Sequence, residues 1–239
     1  MQDMTRVDLQ ATWVLHHRPY RNTSIIADLI TPDFGRVSVV ANGVRSAKSR
    51  RRPLLQPFRP LLASWTGRSS LKTLTTVEES GLPIPLEGAR LACGYYITEL
   101  LLKLLKDGES DVEIFALYSR MLSQLTDHPS YETLLRQFEV SLLTLMGVMP
   151  SWSLTRSGEP VVHEHTYWLN PVTGHLTDHE QSSDGIALLA VSGEVLRALD
   201  SGDIQAAHLP EARRIMRPLI HQQLGGQPLN SRAMFSLYR

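Results

Sequence analysis

The feature that most restricts the fold of this chain is a change of pattern at GLPIPL, residues 81–86. Before it, short apolar runs rich in Val, Ile, Thr and aromatic residues alternate with turn-forming residues, and after it apolar residues recur at helical spacing. Two prolines close together favour a linker. The sequence therefore predicts an α+β multidomain protein in which residues 1–80 form a β-domain and residues 87–239 form an α-helical domain.

The first domain is expected to be a small β-barrel. Turn-forming Gly, Pro and Asp separate its apolar runs, for example in TPDFGR and SWTGRSS. Five short strands within about 80 residues are typical of a closed or partly open barrel. We predict the strands at Ala11–His17, Ser24–Ile30, Arg36–Asn42, Leu61–Thr66 and Leu71–Glu78.

The second domain is expected to be helical. Its first helix, Gly88–Lys106, is apolar on nearly every side, so we expect this helix to form the centre of the domain. An irregular segment, residues 149–184, lacks helical periodicity and contains only a short strand-like run, VVHEHTYWL. The remaining helices are predicted at Val112–Leu125, Tyr131–Val148, Asp184–Leu199 and Glu211–Leu224.

Charge is distributed unevenly along a chain whose formal net charge is +0. Residues 1–80 contain 12 Lys and Arg against 6 Asp and Glu, whereas the remainder contains 12 against 18. No acidic residue occurs from Phe34 to Val77, a stretch that includes nine cations. This asymmetry suggests nucleic acid or another anionic surface as the partner of the first domain.

Five of these cations lie within the eight residues from Arg45 to Arg52, between the third and fourth predicted strands. Cationic side chains release the counterions condensed on phosphates, so such a loop suits binding that is independent of base sequence. The alternative is an ordinary solvated loop. The predicted DNA contacts are Arg36, Arg45, Lys48, Arg50, Arg51, Arg52 and Lys72, with Arg18 and Arg21 as second choices. Bases could stack on Trp13, Tyr20, Phe34 or Trp65, although aromatic residues of strands more often belong to the core.

Cysteine content and missing motifs exclude several classes of protein. Cys93 is the only cysteine, which excludes an intrachain disulfide and a zinc site built from several cysteines. The motifs GxxxxGK[ST], GxSxG and HExxH do not occur, so we do not expect an enzyme. The sequence shows no signal-peptide pattern and no apolar run of about 18 residues, so we expect no membrane association.

Six segments of the chain occur in the order LHHRPYRNTSIIADLITPDFGRVSVVANGVRSAKS, LQPFRPLL, LKTLTTVE, GYYITELL, RQFEVSLLTLMG and LGGQPLNSRAMF. Together these segments resemble the RecO family of bacterial recombination mediators. The resemblance spans nearly the whole chain in the same order, which makes it more specific than any one motif. It implies an N-terminal five-stranded barrel of the oligonucleotide-binding (OB) fold followed by an all-α helical domain.

The family resemblance implies a role in DNA repair and recombination without a covalent reaction. RecO proteins bind single- and double-stranded DNA, anneal complementary strands and, with RecR, load RecA onto strands coated by single-stranded DNA-binding protein (SSB). The implied partners are therefore DNA, RecR and the acidic C-terminal tail of SSB, with RecF as a further candidate. The implied location is the cytoplasm, in association with the nucleoid.

The resemblance and the residue chemistry both place the docking of the SSB tail at LLRQFEVSLL. A terminal carboxylate needs a cation, whereas an aromatic ring needs burial. We expect Arg136, Phe138 and Arg213 to bind the tail. The alternative for Arg136 is an ion pair with Glu132 or Glu139 on the same helix.

Many members of the family carry a four-cysteine zinc site in the irregular segment, where this chain has no cysteine. We therefore expect no zinc and no other cofactor. A replacement set of His163, His165, His175 and His179 is an alternative, although structural zinc sites built from four histidines are unusual.

Two other classes of function stay open at this point. A metal-dependent hydrolase could use Asp127 and His128, or Asp178, His179 and Glu180, although adjacent residues on a chain seldom converge on one ion. A protein scaffold could bind its partners through the acidic helical half, with the basic loop serving only solubility. The scaffold predicts that charge removal at Arg50–Arg52 leaves activity unchanged.

Overall fold

The computed structural model describes residues 6–180 and 185–238. Contacts between residues divide the chain into two compact units. The first unit comprises the described residues of Met1–Asp127 and Leu229–Arg239, and the second comprises those of His128–Pro228. No helix within the described part of the chain is long and apolar enough to cross a membrane.

Five strands of the first unit form a closed barrel, as predicted. They are β1 (Arg6–Tyr20), β2 (Ser24–Thr31), β3 (Gly35–Ala41), β4 (Leu61–Thr66) and β5 (Leu71–Glu79). Their order around the barrel is β1-β2-β3-β5-β4, and β4 pairs again with β1. β3 and β5 pair in parallel, whereas the other neighbours pair antiparallel.

The strand β1 is longer than its predicted counterpart because it takes part in two pairings. Residues up to Thr12 pair with β4, and residues from Trp13 pair with β2. The register with β4 shifts between Val7 and Gln10, where Leu9 has a φ of 46°. A bulge of this kind bends a strand, which lets one strand serve both sides of a small barrel.

Alternate strand residues fill the barrel interior. Ala27 and Leu29 on β2, Val39 on β3 and Trp65 on β4 belong to one buried apolar cluster. Because successive side chains of a strand point to opposite faces, the intervening residues lie on the outside of the barrel. The runs rich in Val, Ile, Thr and aromatic residues, separated by turn residues, therefore predicted the five strands correctly.

Two helices follow the barrel within the first unit, α1 (Gly88–Leu104) and α2 (Val112–Gln124). The side chain of Asp111 accepts hydrogen bonds from the backbone of Glu113 and Ile114 and so caps the start of α2. The sequence predicted α1 at the centre of the second domain, whereas its contacts place it against β1 and the C-terminal segment Asn230–Tyr238. Packing on both sides explains why α1 is apolar nearly all round.

The C-terminal segment is held to α1 through Glu99. The carboxylate accepts hydrogen bonds from the backbone nitrogens of Asn230 (2.9 Å) and Ser231 (2.8 Å) and from the Ser231 hydroxyl (2.7 Å). Burial alone would raise the pKa of Glu99, but these hydrogen bonds and that of Lys103 outweigh it and lower the pKa. The segment thus completes the first unit, although it follows the second unit in the sequence.

The second unit combines three helices with a small sheet, so the helical region is confirmed and carries additional strands. The helix α3 packs against both other helices, and the sheet has the order β7-β6-β8. The helices are α3 (Tyr131–Leu145), α4 (Gly193–Ser201) and α5 (Leu209–Gln223), and the strands are β6 (Thr166–Leu169), β7 (Leu176–Thr177) and β8 (Leu189–Ser192).

The predicted helix Asp184–Leu199 is wrong over part of its length. Leu189–Ser192 forms β8, which pairs with β6, and α4 begins only at Gly193. The Ser192 side chain accepts a hydrogen bond from the backbone of Val195 and caps α4. Short apolar runs are ambiguous between helix and strand, and the pairing with β6 decides this one. Asp184 itself lies outside the described residues.

Candidate nucleic-acid interface

The basic loop, residues 42–60, joins β3 to β4 and is anchored at its first end. Val44 is buried in the barrel core. The backbone nitrogen of Arg45 donates to the carbonyl oxygen of Thr23, in the turn between β1 and β2, at 2.7 Å. This end of the loop therefore has a defined position beside the β1–β2 turn.

Apolar residues anchor the second end of the basic loop. Leu55 is 1% exposed and belongs to the barrel core. Phe58 has a φ of 61° and packs onto α1, where a Cβ added at Gly94 would lie 3.0 Å from its Cζ. The ring of Tyr95 meets that of Phe58 edge-on at 5.1 Å. Because both ends of the basic loop are packed against the barrel or α1, the cations lie on a segment whose two ends have fixed positions.

The five cations of the basic loop are close in sequence, and within residues 6–180 and 185–238 none of them forms an ion pair with a carboxylate. Lys48, Arg50 and Arg52 are exposed. Arg45 donates to the carbonyl oxygen of Arg21 at 3.3 Å, and Arg51 donates to that of Asn42 at 2.7 Å. A carbonyl group orients a guanidinium without cancelling its charge. The loop therefore presents a concentrated positive field to the solvent.

Two further cations of the predicted DNA site lie in other surroundings. Arg36, on β3, forms an ion pair with Asp107 and donates to the carbonyl oxygen of Leu102, and its side chain is 21% exposed. Lys72, on β5, is half-buried and donates to the carbonyl oxygen of Gly67 at 3.2 Å. The five loop cations thus share one anchored segment, whereas Arg36 is engaged in contacts with Asp107 and Leu102.

The β1–β2 turn contributes a cation that the sequence ranked only second. Arg21 is exposed, has a φ of 51° and lies beside Arg45 through its own carbonyl group. Its guanidinium carbon is 5.1 Å from the centroid of the Tyr20 ring. The other second choice, Arg18, forms an ion pair with the buried Asp28 at 3.3 Å. The turn signal RNTS was the clue that could have raised Arg21 in rank.

The aromatic residues named as stacking candidates are mostly core residues. Trp65 is 3% exposed inside the barrel, and Phe34 packs against it with ring centroids 5.4 Å apart. Trp13 is 6% exposed and donates through Nε1 to the Ser119 hydroxyl at 2.8 Å. Tyr20 is half-buried beside the basic loop. Of the four candidates, Tyr20 is therefore the one placed to meet a base near the cations.

The outer face of β2, a usual ligand face of OB barrels, is covered in this protein. Every residue of β2 is buried, including Ile26 and Asp28 on the face opposite the core. The helix α2 contacts β2, and Tyr118 of α2 packs edge-on against Trp13 of the neighbouring strand. Burial also raises the pKa of the Tyr118 phenol far above its ordinary value. The outer face of β2 is therefore closed to a ligand in this arrangement.

The predicted SSB-tail residues Arg136 and Phe138 lie inside the second unit. Arg136 is 8% exposed, and its guanidinium pairs with the carboxylate of Glu139, which is 1% exposed. This contact is the ion pair considered as the alternative for Arg136. Phe138 is fully buried, so its ring packs within the unit. In this structure Arg136 and Phe138 therefore make contacts inside the second unit and are not presented to a ligand.

Arg213, the third predicted tail residue, lies exposed on α5. Its Nη2 is 2.7 Å from Oε1 of Glu132 on α3. The neighbouring Arg214 donates to the carbonyl oxygen of Ala190 on β8, and Arg217 is exposed. The structure therefore brings Arg213 to the helix that carries Arg136, on a cationic face of α5.

The irregular segment has an apolar interior rather than a set of metal ligands. Among residues 6–180 and 185–238, no group of three or more His, Cys, Asp or Glu side chains could hold a metal ion. Trp152 and Leu169 are fully buried, and the Trp152 indole donates to the carbonyl oxygen of Gly174 at 3.0 Å. The histidines proposed as replacement ligands, His163, His165, His175 and His179, are all exposed. The donors present in this part of the chain do not fit a structural zinc site.

Family models and curated proteins match almost the whole chain. Residues 4–81 match the model described as Recombination protein O N terminal, and residues 85–233 match Recombination protein O C terminal. The chain is 41% identical to the DNA repair protein RecO of Alkalilimnicola ehrlichii, over 96% of this chain and 91% of that protein. It is 35% identical to the DNA repair protein RecO of Haemophilus influenzae, over 96% of each. The two model matches meet at the predicted linker.

Proposed function

Because the chain belongs to the RecO family of DNA repair proteins, we propose that its basic loop binds the phosphates of single- and double-stranded DNA. The observation that carries the proposal is a group of five cations on a loop anchored at both ends, with no ion pair to an acidic side chain in the part of the chain that the structure describes. Arg21 of the β1–β2 turn extends this surface beside Arg45. Arg36 on β3 and Lys72 on β5 are not part of the basic loop.

We propose strand annealing as the consequence of this binding. Two complementary strands repel each other through their phosphates, and a cationic surface lowers that repulsion by replacing condensed counterions. Contacts to phosphate leave the base edges free to pair. Arg45 and Arg51 are oriented by backbone carbonyl groups, and Lys48, Arg50 and Arg52 are exposed, which suits phosphate binding without sequence preference. The proposal involves positioning and electrostatics, and it contains no covalent step.

We further propose that an acidic SSB tail docks on the second unit at α5. Arg213 and Arg217 are exposed there, and the Arg213–Glu132 ion pair lies at the surface. Exposed ion pairs contribute only about 0–1 kcal/mol, so a tail carboxylate could replace Glu132 at little cost. In this proposal Arg136 remains paired with Glu139 and contributes to the packing of α3, the helix that carries Glu132. Cooperation with RecR, loading of RecA and contact with RecF are proposed from family membership.

We also infer that the second unit needs no zinc, because Trp152 and its apolar neighbours occupy the interior of the irregular segment. An excess of a chelator such as EDTA is expected to leave the thermal unfolding temperature unchanged. A lowered unfolding temperature that zinc restores would contradict this inference.

DNA binding by the basic loop is tested by fluorescence anisotropy of a labelled single strand across a salt series. Replacing Lys48, Arg50, Arg51 and Arg52 by Ala removes up to four phosphate contacts, so the slope of log K against log salt should fall by about 3. At 0.1 M salt this corresponds to a loss of affinity of several hundredfold.

A matched control removes four exposed cations outside the loop, Arg120, Arg156, Arg197 and Arg217, and so changes the net charge equally. This control is expected to keep the salt slope of the unaltered protein. If both variants lost the same affinity, net charge rather than the loop would govern binding. If neither variant lost affinity, the loop would have no role in DNA binding, as the hypothesis of a protein scaffold predicts.

A further inference from the structure

A cavity of about 480 Å³ lies within the first unit, beside the second end of the basic loop. Its walls come from β1, α1 and the C-terminal segment, and the loop contributes Gln56 and Pro57. Sites for small ligands typically enclose about 300–1,000 Å³. We propose that this cavity binds one unpaired nucleobase of a DNA strand whose phosphates lie on the basic loop, an inference that rests on the proposed function.

The cavity is continuous with the cation run. Gln56 is exposed at the cavity and donates through Nε2 to the carbonyl oxygen of Arg52 at 3.2 Å. The backbone nitrogen of Leu55 donates in turn to the carbonyl oxygen of Arg51. One compact turn of chain therefore joins the last cations to the edge of the cavity. A strand bound along these cations passes the opening.

Tyr95 gives the cavity an aromatic wall. The ring is half-buried, and its edge-on contact with Phe58 at 5.1 Å holds its orientation. Leu15 and Leu102 add apolar surface. Every base has a π-face that can stack on an aromatic side chain, so such a wall accepts a base whatever its identity. This tolerance matches binding that the phosphate contacts already make independent of sequence.

Polar groups at the cavity suit a base better than an acidic peptide. The amide side chain of Gln56 can both donate to and accept from base edges. Glu99, the acidic residue among those lining the cavity, is satisfied by Asn230, Ser231 and Lys103, with Lys103 Nζ at 3.0 Å. Because Lys103 is already paired with Glu99, it is poorly placed to receive a peptide carboxylate.

The test compares two oligomers of about 20 nucleotides, longer than the site of one OB barrel. One is homothymidine and the other is an abasic strand with the same phosphates. The full-length protein should bind homothymidine about tenfold more tightly, as expected for one stacked base, with the same salt slope for both oligomers. Equal affinities with normal salt slopes would overturn the nucleobase inference and leave the proposed function intact. Failure to bind either oligomer would overturn both.

Two variants assign the preference to the cavity. Met234→Trp should fill the cavity, since Met234 is half-buried in its wall, and Tyr95→Leu should keep apolar packing against Phe58 while removing the stacking face. Each should reduce the tenfold preference to about twofold without changing affinity for the abasic strand. Tyr131→Leu, in the second unit, is the matched control and should keep the preference.

Two results would overturn the inference while the loop retains its role. The first is an unchanged preference for homothymidine in both cavity variants, each shown to be folded by its thermal unfolding. The second is binding of an acidic, aromatic-ended peptide that Met234→Trp abolishes while base preference persists. That second result would assign the cavity to a peptide.

Discussion

The cations of the basic loop and the arginines of α3 and α5 have the same chemistry but opposite surroundings. In the loop, Arg45 and Arg51 donate to backbone carbonyl groups, and no acidic side chain is close in sequence. On the helices, Arg136 pairs with Glu139 and Arg213 pairs with Glu132. The comparison shows that a buried carboxylate already neutralises the charge of Arg136, whereas the carbonyl groups that hold Arg45 and Arg51 leave their charge available to a ligand.

The largest expected effect concerns the buried ion pair of α3. Arg136→Ala removes the guanidinium from a carboxylate that is 1% exposed, so the free energy of unfolding should fall by about 3 kcal/mol. Urea denaturation followed by circular dichroism measures this change. Arg217→Ala, at an exposed position of α5, is the control and should change stability by less than about 0.5 kcal/mol. If both variants changed the free energy of unfolding by a similarly small amount, the Arg136–Glu139 ion pair would not contribute to the stability of the second unit.

A second prediction separates Arg36 from the loop cations, with which it shares the acid-free stretch of sequence. Arg36→Ala breaks the contacts to Asp107 and Leu102 and should lower the free energy of unfolding by about 2 kcal/mol. The salt slope of DNA binding should not change. Arg50→Ala should show the reverse, with unchanged stability and a slope lower by about 1. A lower slope in Arg36→Ala would place Arg36 in the DNA interface.

The third prediction gives the loop an acidic neighbour like those of the helices. Ala47 is exposed between Arg45 and Lys48, so Ala47→Glu should reduce the affinity for single-stranded DNA about fivefold, or about 1 kcal/mol. Ala47→Gln has nearly the same shape and should bind as the unaltered protein does. Equal binding by Ala47→Glu and Ala47→Gln would argue against an electrostatic role of the loop.

The smallest expected effect concerns Glu99, which is stabilised chiefly by backbone donors. Its lowered pKa means that the folded state binds the proton less readily than the unfolded state does. The stabilisation is therefore present above the ordinary glutamate pKa of 4.5 and is lost as the pH falls through the lower pKa of Glu99 in the folded protein. Thermal unfolding of the unaltered protein and of Glu99→Gln should differ at pH 7 and converge towards pH 3. If the difference in unfolding temperature between the two proteins increased at low pH, the pKa of Glu99 would be raised in the folded state rather than lowered.

Local sequence pattern was sufficient for most of the secondary structure. The five strands and the bounds of α1 and α2 follow from apolar periodicity and turn residues, because these depend on neighbours a few positions away. The run Leu189–Ser192 shows the limit of this reasoning. Its residues suit either a helix or a strand, and pairing with β6 selects the strand.

The candidate site was predicted in part for the same reason. The loop cations were identifiable because the sequence around them contains no acid, so no local ion pair could form. Arg21 and the cavity beside Gln56 were harder to identify, since they depend on contacts with the β1–β2 turn and with the C-terminal segment. Burial of Trp13 and Trp65 likewise follows from packing that no single strand reveals.

The succession of strands and helices and the concentration of positive charge at residues 45–52 follow from the order of residues along the chain. The tertiary structure decided which cations keep that charge available and where α1 packs. Arg36 illustrates the physical reason, since Asp107 lies 71 positions away along the chain. Periodicity and charge runs act over one or two turns of chain, whereas ion pairs and burial depend on which distant segments the fold brings into contact.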